Sequence, residues 1–407
     1  MSECARRVMA ECGRIAAMSD EEGRTTRLFL MPSIKTVHDH LRARMQALGM
    51  TVRVDAAGNL RGLWQPANAS SKRLLIGSHI DTVPNAGAYD GVLGVVMAIE
   101  YVELAKELQL PLAIEVIAFS DEEGVRFGVP FIGSRAVAGR FDQALLERKD
   151  ANGTTVADAI RTFGIDPSRI DEAVLDDDAA AYLEIHIEQG PVLEAEKLSV
   201  AAVTAIAGQT RLTLEFTGEA NHAGSTPMML RRDALAAAAE WIASVEQLAR
   251  STDGLVATVG KIAVEPNAGN VVPGKATVSL DVRHARDAVR LTAVKQLLEN
   301  ADVIAERRGL AVQHQAQLQQ PAVPMDERLT SFVADAIEAA GLPVKQMTSG
   351  AGHDAMVLAA RVPTTMLFLR SPGGLSHHPG EAVLEEDVDA ALQVGRFFLQ
   401  RSAAEIG

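Results

Sequence analysis

Cysteine is scarce in this 407-residue chain: only Cys4 and Cys12 occur, both near the N-terminus. They could form a redox pair or serve as metal ligands. They read instead as ordinary reduced thiols on a first helix, as in a cytosolic protein. Long apolar runs are missing as well. No stretch reaches the ~18 uninterrupted apolar residues of a membrane span. Glu3, Arg6, Arg7, Glu11 and Arg14 interrupt the first segment, so no signal peptide is expected. An excess of basic charge is absent too, since the formal net charge is −14. That balance argues against a nucleic-acid surface and gives no general attraction to membranes or anionic substrates. An anionic substrate would need local arginines. There is no internal repeat and no low-complexity tract. What is present, 47% hydrophobic and 23% charged residues, suits a soluble cytoplasmic protein long enough for two domains.

One stretch organises the rest: residues 74–100, LLIGSHIDTVPNAGAYDGVLGVVMAIE. Residues 74–77 read as a short buried strand, followed by His79 and Asp81. A turn-rich segment leads to Asp90–Gly91 and then to an apolar helix expected to run to about Leu108. His79 at a strand end suits a metal ligand, with Asp81 holding its other ring nitrogen. The plainer reading makes both residues solvated loop positions.

Helices are expected over residues 3–18 and 33–49, and strands over 51–54 and 59–64. Residues 112–119 form a second buried strand that leads into Ser120-Asp121-Glu122-Glu123-Gly124. Residues 141–181 are polar and partly helical. Residues 182–187 read as a strand with His186 near its end. Alternating strands and helices imply a mainly parallel sheet, and in such sheets active residues gather beyond the carboxyl ends of the strands. His79, Asp81 and the acids at 121–123 fall at such ends.

Residues 211–216, 255–264, 276–282 and 310–318 read as strands, and 232–250 and 288–308 as helices. The order βαββαβ is the ferredoxin-like split motif. Residues 211–321 are therefore read as an inserted domain. The first domain, residues 1–210, resumes over 322–407 with a helix at 326–340, a strand at 364–368 and a closing helix at 386–402. The predicted fold is α/β: a mixed, mostly parallel-sheet domain carrying a ferredoxin-like insertion.

Five candidate metal ligands stand at predicted strand ends or in adjoining loops: His79, Asp90, Glu123, His186 and His377. Imidazole nitrogen and carboxylate oxygen suit zinc, manganese or cobalt. Three histidines and two carboxylates suit two divalent metal ions bridged by one carboxylate. Two metals ~3.5–4 Å apart polarise a carbonyl and generate hydroxide from a bridging water. Glu122 is then free to act as general base. Alone, a Glu-Glu pair is usually a solvated turn and a strand-end histidine is usually structural; the joint pattern carries the reading.

The chain resembles the M20-type metallohydrolases, specifically the amidase/carbamoylase branch. The resemblance rests on GSHIDTV (77–83), YDGVLG (89–94), FSDEEGVRF (119–127), HIEQGPVLE (186–194), NHAGSTPM (221–228), NVVPG (270–274), SGAGHDA (349–355) and GGLSHHPGE (373–381), and covers nearly the whole chain. It implies that Asp90 bridges the metals and that His79, His186, Glu123 and His377 complete the two ligand sets. His377 rather than His378 matches the family ligand. Glu122 matches the family's general base. The insertion corresponds to a lid and dimerisation domain, which implies a homodimer. His222 resembles the histidine that stabilises the oxyanion in the partner's site. Asn270 and Arg283 resemble residues that bind the substrate's polar groups and carboxylate, and Gln189 would bond the ureido end. Gly350, Gly352 and His353 form a loop that could close on the substrate, anchored by Asp354.

The resemblance implies hydrolysis of a linear ureido C–N bond in a small anionic substrate, releasing ammonia and carbon dioxide. Gln209 in GQTR and the SGAGHDA loop look like the allantoate branch. GVLGVV and FSDEEGVRFG look as much like the N-carbamoyl-L-amino acid hydrolases, with β-ureidopropionase and ureidoglycolate amidohydrolase as further relatives. HIEQG and NHAGSTPM weaken a dipeptidase or aminoacylase reading. The remaining alternative is a catalytically silent, metal-binding dimeric scaffold, against which the presence of Glu122 and every expected ligand speaks.

Overall fold

The computed structural model describes residues 2–406. The chain divides into two compact units, one ending at Thr204 and resuming at Met325, the other spanning Ala205–Pro324. The expected boundaries lay a few residues inside these limits. The second unit's first long strand starts at Gly208 rather than 211, and it follows a strand, Val200–Ile206, that the sequence reading did not separate from its surroundings.

In the first unit the sheet runs in the order Thr51–Val54, Leu60–Trp64, Ala113–Phe119, Arg73–His79, Ala179–Ile187, Thr364–Leu369 and Val200–Ile206, with Gln346–Ser349 also paired to the last. The four middle strands are parallel. Leu60–Trp64 and Val200–Ile206 join them antiparallel, so the sheet is mixed with a parallel centre. Every residue of Arg73–His79, Ala113–Phe119 and Thr364–Leu369 is buried. Strands covered on both faces are mostly apolar rather than alternating, and here the one buried acid, Glu115, is paired with Arg61 and Arg73.

The helix Val92–Glu107 lies on this sheet. Val92, Leu93, Val95, Val96 and Ile99 are all buried, and each such side chain contributes about 1.5–3 kcal/mol. Its N-cap, Gly91, makes no side-chain capping bond, so packing rather than capping fixes the helix. A Cβ on Gly94 would stand 2.0 Å from the Ile185 carbonyl oxygen. Only glycine lets the helix approach the strand that carries His186.

The expected strand at 74–77 is longer, Arg73–His79, and takes His79 in as its last residue. The polar region 141–181 forms one helix, Val156–Phe163, and two 3-10 segments, Gln143–Glu147 and Pro167–Ala173. No helix among the described residues is long and apolar enough to cross a membrane.

The second unit has an antiparallel sheet ordered Ile262–Glu265, Lys275–His284, Gly208–Thr217, Ala311–Gln320, with Val256–Thr258 also on Lys275–His284. The expected single strand at 255–264 is therefore two, interrupted around Gly260. Lys275–His284 alternates half-buried and buried residues along its length, the period-2 pattern of a sheet with one packed face. Helices Ala234–Ser251 and Asp287–Arg308 share a core with that face. Buried Trp241 donates its Nε1–H to the Leu297 carbonyl at 2.8 Å.

Candidate metal centre

The parallel strands deliver three of the five proposed ligands to one end of the sheet. His79 closes its strand, His186 lies one residue before the end of Ala179–Ile187, and Glu123 follows Ala113–Phe119. Asp90 precedes the helix Val92–Glu107, and His377 follows the turn Pro372–Gly374. Asp90 is central. Its Oδ1 lies 3.2 Å from His186 Nε2 and 3.8 Å from His79 Nε2. Its Oδ2 lies 3.3 Å from His377 Nε2, which is 3.4 Å from Glu123 Oε1. Two ligand groups result, His79–Asp90–His186 and Asp90–Glu123–His377, each with its donor atoms within 4.8 Å of one another. One carboxylate belongs to both.

The donor set fits two cations. His79 Nδ1 lies 3.0 Å from the Asp81 carbonyl oxygen, and His186 Nδ1 lies 2.9 Å from that of Ile187. A carbonyl can only accept, so each Nδ1 carries a proton, and each Nε2 is the nitrogen left facing Asp90, able to take a metal once any proton on it is displaced. Glu123 Oε1 is buried without a hydrogen-bond partner, the state expected of an oxygen reserved for a cation.

The electrostatics point the same way. Burial pushes Glu122 well above the usual carboxylate range, and the charges of Glu123, Asp354 and Asp81 add to it against the opposing pull of His79. Burial beside Asp90 raises Glu123 to about 7. Burial disfavours the His79 imidazolium, but hydrogen bonding to Asp81 and the charges of Glu122 and Asp90 outweigh it and hold His79 well above its ordinary value. Asp90 is driven well below its own, because bonds to His186 and His377 overcome its burial. Protons thus balance the carboxylates here. Divalent cations would displace them, since ligation requires neutral imidazole and ionised carboxylate.

Asp81 has more to do than hold His79. Its Oδ1 and Oδ2 accept the backbone N–H groups of Glu122 at 2.9 Å and Glu123 at 3.1 Å. Its carboxylate is 3.4 Å from His79 Nδ1, farther than its own backbone carbonyl. The sequence reading assigned the ring's other nitrogen to Asp81 without saying through which atom. The structure gives it chiefly to the main chain and turns the carboxylate to the loop that carries Glu122 and Glu123.

Four expected substrate residues stand on the second unit. His222 and Asn270 are exposed, and a two-residue ladder pairs His222 with Val271 and Asn221 with Val272. Gln209 and Arg283 face each other in the register of Gly208–Thr217 and Lys275–His284. Arg283 forks onto Asp281, at 3.0 and 2.9 Å. Gln209 donates to Gln320 at 2.7 Å.

Residues 75–401 match the peptidase family M20/M25/M40. The chain belongs to that family. The match begins in the strand ending at His79 and takes in all five clustered candidate ligands. Over 98% of its length the chain is 38% identical to a probable allantoate deiminase of Oryza sativa subsp. japonica, covering 88% of that protein. Over 91% of its length it is 39% identical to an N-carbamoyl-L-amino acid amidohydrolase of Geobacillus stearothermophilus, covering 92% of it. A hydantoinase/carbamoylase-family amidase structure from Burkholderia multivorans superposes with a TM-score of 0.92 at 32% identity, with 98% of each chain covered.

Within this M20 site, two residues escaped the sequence reading, Glu381 and Ser376. Glu381 is buried, and its Oε1 accepts the N–H groups of both Tyr89 and Asp90 at 2.9 Å. Burial and the Asp90 charge raise it to about 7. Ser376 donates to Asp90 Oδ2 at 3.2 Å and accepts from Gln189 Nε2 at 2.9 Å. The signal available was a short one: a hydroxyl and an acid flanking His377 in GGLSHHPGE. Gln189 sits beside Asp90, its Nε2 3.2 Å from both carboxylate oxygens. His353 departs from its expected role. It is only 1% exposed, its ring centroid is 4.4 Å from that of His186, and its Nε2 is 2.8 Å from Ser349 Oγ. A ring so enclosed packs against His186, a candidate ligand, and has little surface of its own to offer a substrate. Gly352, beside it, is half-buried, and a Cβ there would come within 3.1 Å of the Phe131 ring.

Proposed function

We propose that the chain is a dinuclear-metal amidohydrolase that cleaves the C–N bond of a linear ureido group, with allantoate as first substrate and an N-carbamoyl-L-amino acid as second. The observation that carries the reading is the single carboxylate, Asp90, shared between two complete ligand groups. Both substrates are suggested by relatives of about equal similarity, and allantoate is placed first because Gln209 in GQTR and the SGAGHDA loop look like that branch.

When bound, a pair of zinc, manganese or cobalt ions polarises the ureido carbonyl and acidifies the attacking water. His79, Asp90 and His186 would hold one ion, and Asp90, Glu123 and His377 the other. Glu122 takes the water's proton on its carboxylate and passes it to the leaving nitrogen. A carboxylate whose pKa is raised by burial suits that double duty. Water adds to the carbonyl carbon, the C–N bond breaks, and the carbamate formed decomposes to ammonia or amine and carbon dioxide. The second unit acts as a ferredoxin-like lid and dimerisation domain. In this reading His222 donates to the oxyanion in the partner subunit's site, Asn270 and Gln209 bind polar groups of the substrate, and Arg283 binds its carboxylate.

Ammonia release is the test for allantoate and N-carbamoyl-L-methionine with Mn²⁺ or Zn²⁺, and free amino acid release for a dipeptide, the three ranked by kcat/KM. Turnover of a ureido compound is expected, together with a Glu122→Gln variant that retains metal and loses about 10²–10⁴-fold in kcat. Metal binding without ammonia from any ureido compound would establish the silent scaffold instead.

A further inference from the structure

We infer that Arg231 is a positioning residue for His222, locking the turn that presents the imidazole as an Nε2–H donor. This deepens the reading of His222 as the oxyanion donor and rests on it.

The backbone N–H groups of Gly224 and Ser225 both point at His222 Nδ1, at 3.1 and 3.2 Å. Successive amides converging on one atom form a small nest of positive charge. An Nδ1 that accepts two hydrogen bonds must present its lone pair, so the proton of the neutral ring sits on Nε2. Oxyanion stabilisation requires a donor at that atom. The opposite tautomer would set a lone pair against developing negative charge.

The nest exists only while the turn keeps its shape. At its near end the Ala223 N–H donates to the Asn270 carbonyl at 2.9 Å, and His222 pairs with Val271. Inside it, the Thr226 N–H and hydroxyl donate to the His222 carbonyl at 3.1 and 2.9 Å. At its far end Arg231 closes the loop: its Nε donates to the Thr226 carbonyl at 3.0 Å and an Nη donates to that of Ala223. The two carbonyls it clamps bracket Gly224 and Ser225. A rigid, planar guanidinium can hold both at once, whereas a lysine ammonium offers a point charge without the fork. Arg231 therefore acts on the ring through the backbone and needs no contact with substrate.

The test begins with ¹⁵N-histidine NMR of the wild-type protein, the His222 signals being assigned by their loss in His222→Ala. An unprotonated Nδ1 and a protonated Nε2 are expected; a proton on Nδ1 overturns the inference. Kinetics on whichever of allantoate and N-carbamoyl-L-methionine is turned over then separates the claims. Removing an oxyanion donor costs about 10²–10³-fold in kcat, and misaligning it forfeits part of that, so Arg231→Ala should lose about tenfold or more. KM and metal content should stay unchanged, Arg231→Lys should recover little, and millimolar guanidinium should restore part of the rate to Arg231→Ala. If His222→Ala keeps full kcat, the oxyanion reading itself fails. If His222→Ala loses rate while Arg231→Ala keeps both rate and tautomer, only the positioning role fails. Should Arg231→Ala not fold, Arg231→Gln is read by the same measures.

Discussion

Replacing Asp81 tests the site at the joint between its base and one of its ligands. The carboxylate accepts two buried backbone N–H groups, from Glu122 and Glu123. A hydrogen bond to a charged partner contributes about 1.5–3 kcal/mol, so Asp81→Ala, which orphans both amides, should destabilise the metal-free protein by about 3–6 kcal/mol at most. Asp81→Asn keeps one acceptor and turns an amide N–H toward the other donor; its loss should be about half as large. The metal side should respond less. His79 Nδ1 is held at 3.0 Å by the main-chain carbonyl of residue 81, which no substitution removes. The ring therefore keeps its tautomer, and metal affinity should fall toward the low end of the 10–100-fold range typical of lost ligand supports. Glu122 has no such second anchor at its N–H. Its loop should loosen, and kcat should fall further than metal occupancy explains. Urea midpoints of the apoprotein, chelator competition for the metal and kcat at saturating metal give the three numbers. An Asp81→Asn variant with wild-type kcat once reloaded, or one whose whole defect vanishes on adding metal, would refute this division of roles.

Two further outcomes follow from the same geometry. Glu122, Glu123 and Glu381 are raised, the last two to about 7 from 4.5, so the folded apoprotein holds more protons than the unfolded chain between those values. Stability from such groups is complete below the unfolded pKa and is lost as pH rises through the folded one. His79 and His377 are also raised, His377 by its bond to Asp90, and act in the same direction above 6.5. The Tm gained on loading metal should therefore widen from about pH 5 to about pH 8, with proton release on binding; a gain independent of pH would contradict it. Glu381→Ala removes the acceptor that holds the Tyr89 and Asp90 amides and should weaken binding of both metal ions, because Asp90 serves both, while Glu381→Gln keeps an oxygen there and should retain them; metal content after dialysis decides, and equal loss in both variants would show that charge rather than position matters.

The parts of this site that the sequence made legible are those fixed by side-chain type and by element ends. His79 could be found because a histidine just past a buried apolar run stands out, and His186 because it lies near the end of the alternating strand YLEIHI. Asp90 and Glu123 followed from turns next to those runs. The strand Val200–Ile206 was lost for the converse reason: VAAVTAI is an apolar run like the others but carries no chemical residue to draw attention to it. What stayed hidden was support by the main chain. Asp81 and Glu381 each bind two backbone amides, and an amide has no letter of its own. Which N–H groups converge depends on loop dihedrals, several of them in the left-handed region at non-glycine positions, such as Gln189 at φ 57° and His377 at φ 56°. Left-handed backbone costs an ordinary residue energy and persists only where surrounding structure over-determines it. At Gln189 that surrounding is visible: its N–H donates to Ser371 and its carboxamide to Asp90 and Ser376. Donor atoms are thus announced by residue type. The hydrogen bonds that aim them are set only when distant loops meet, and that is where a single sequence stops being readable.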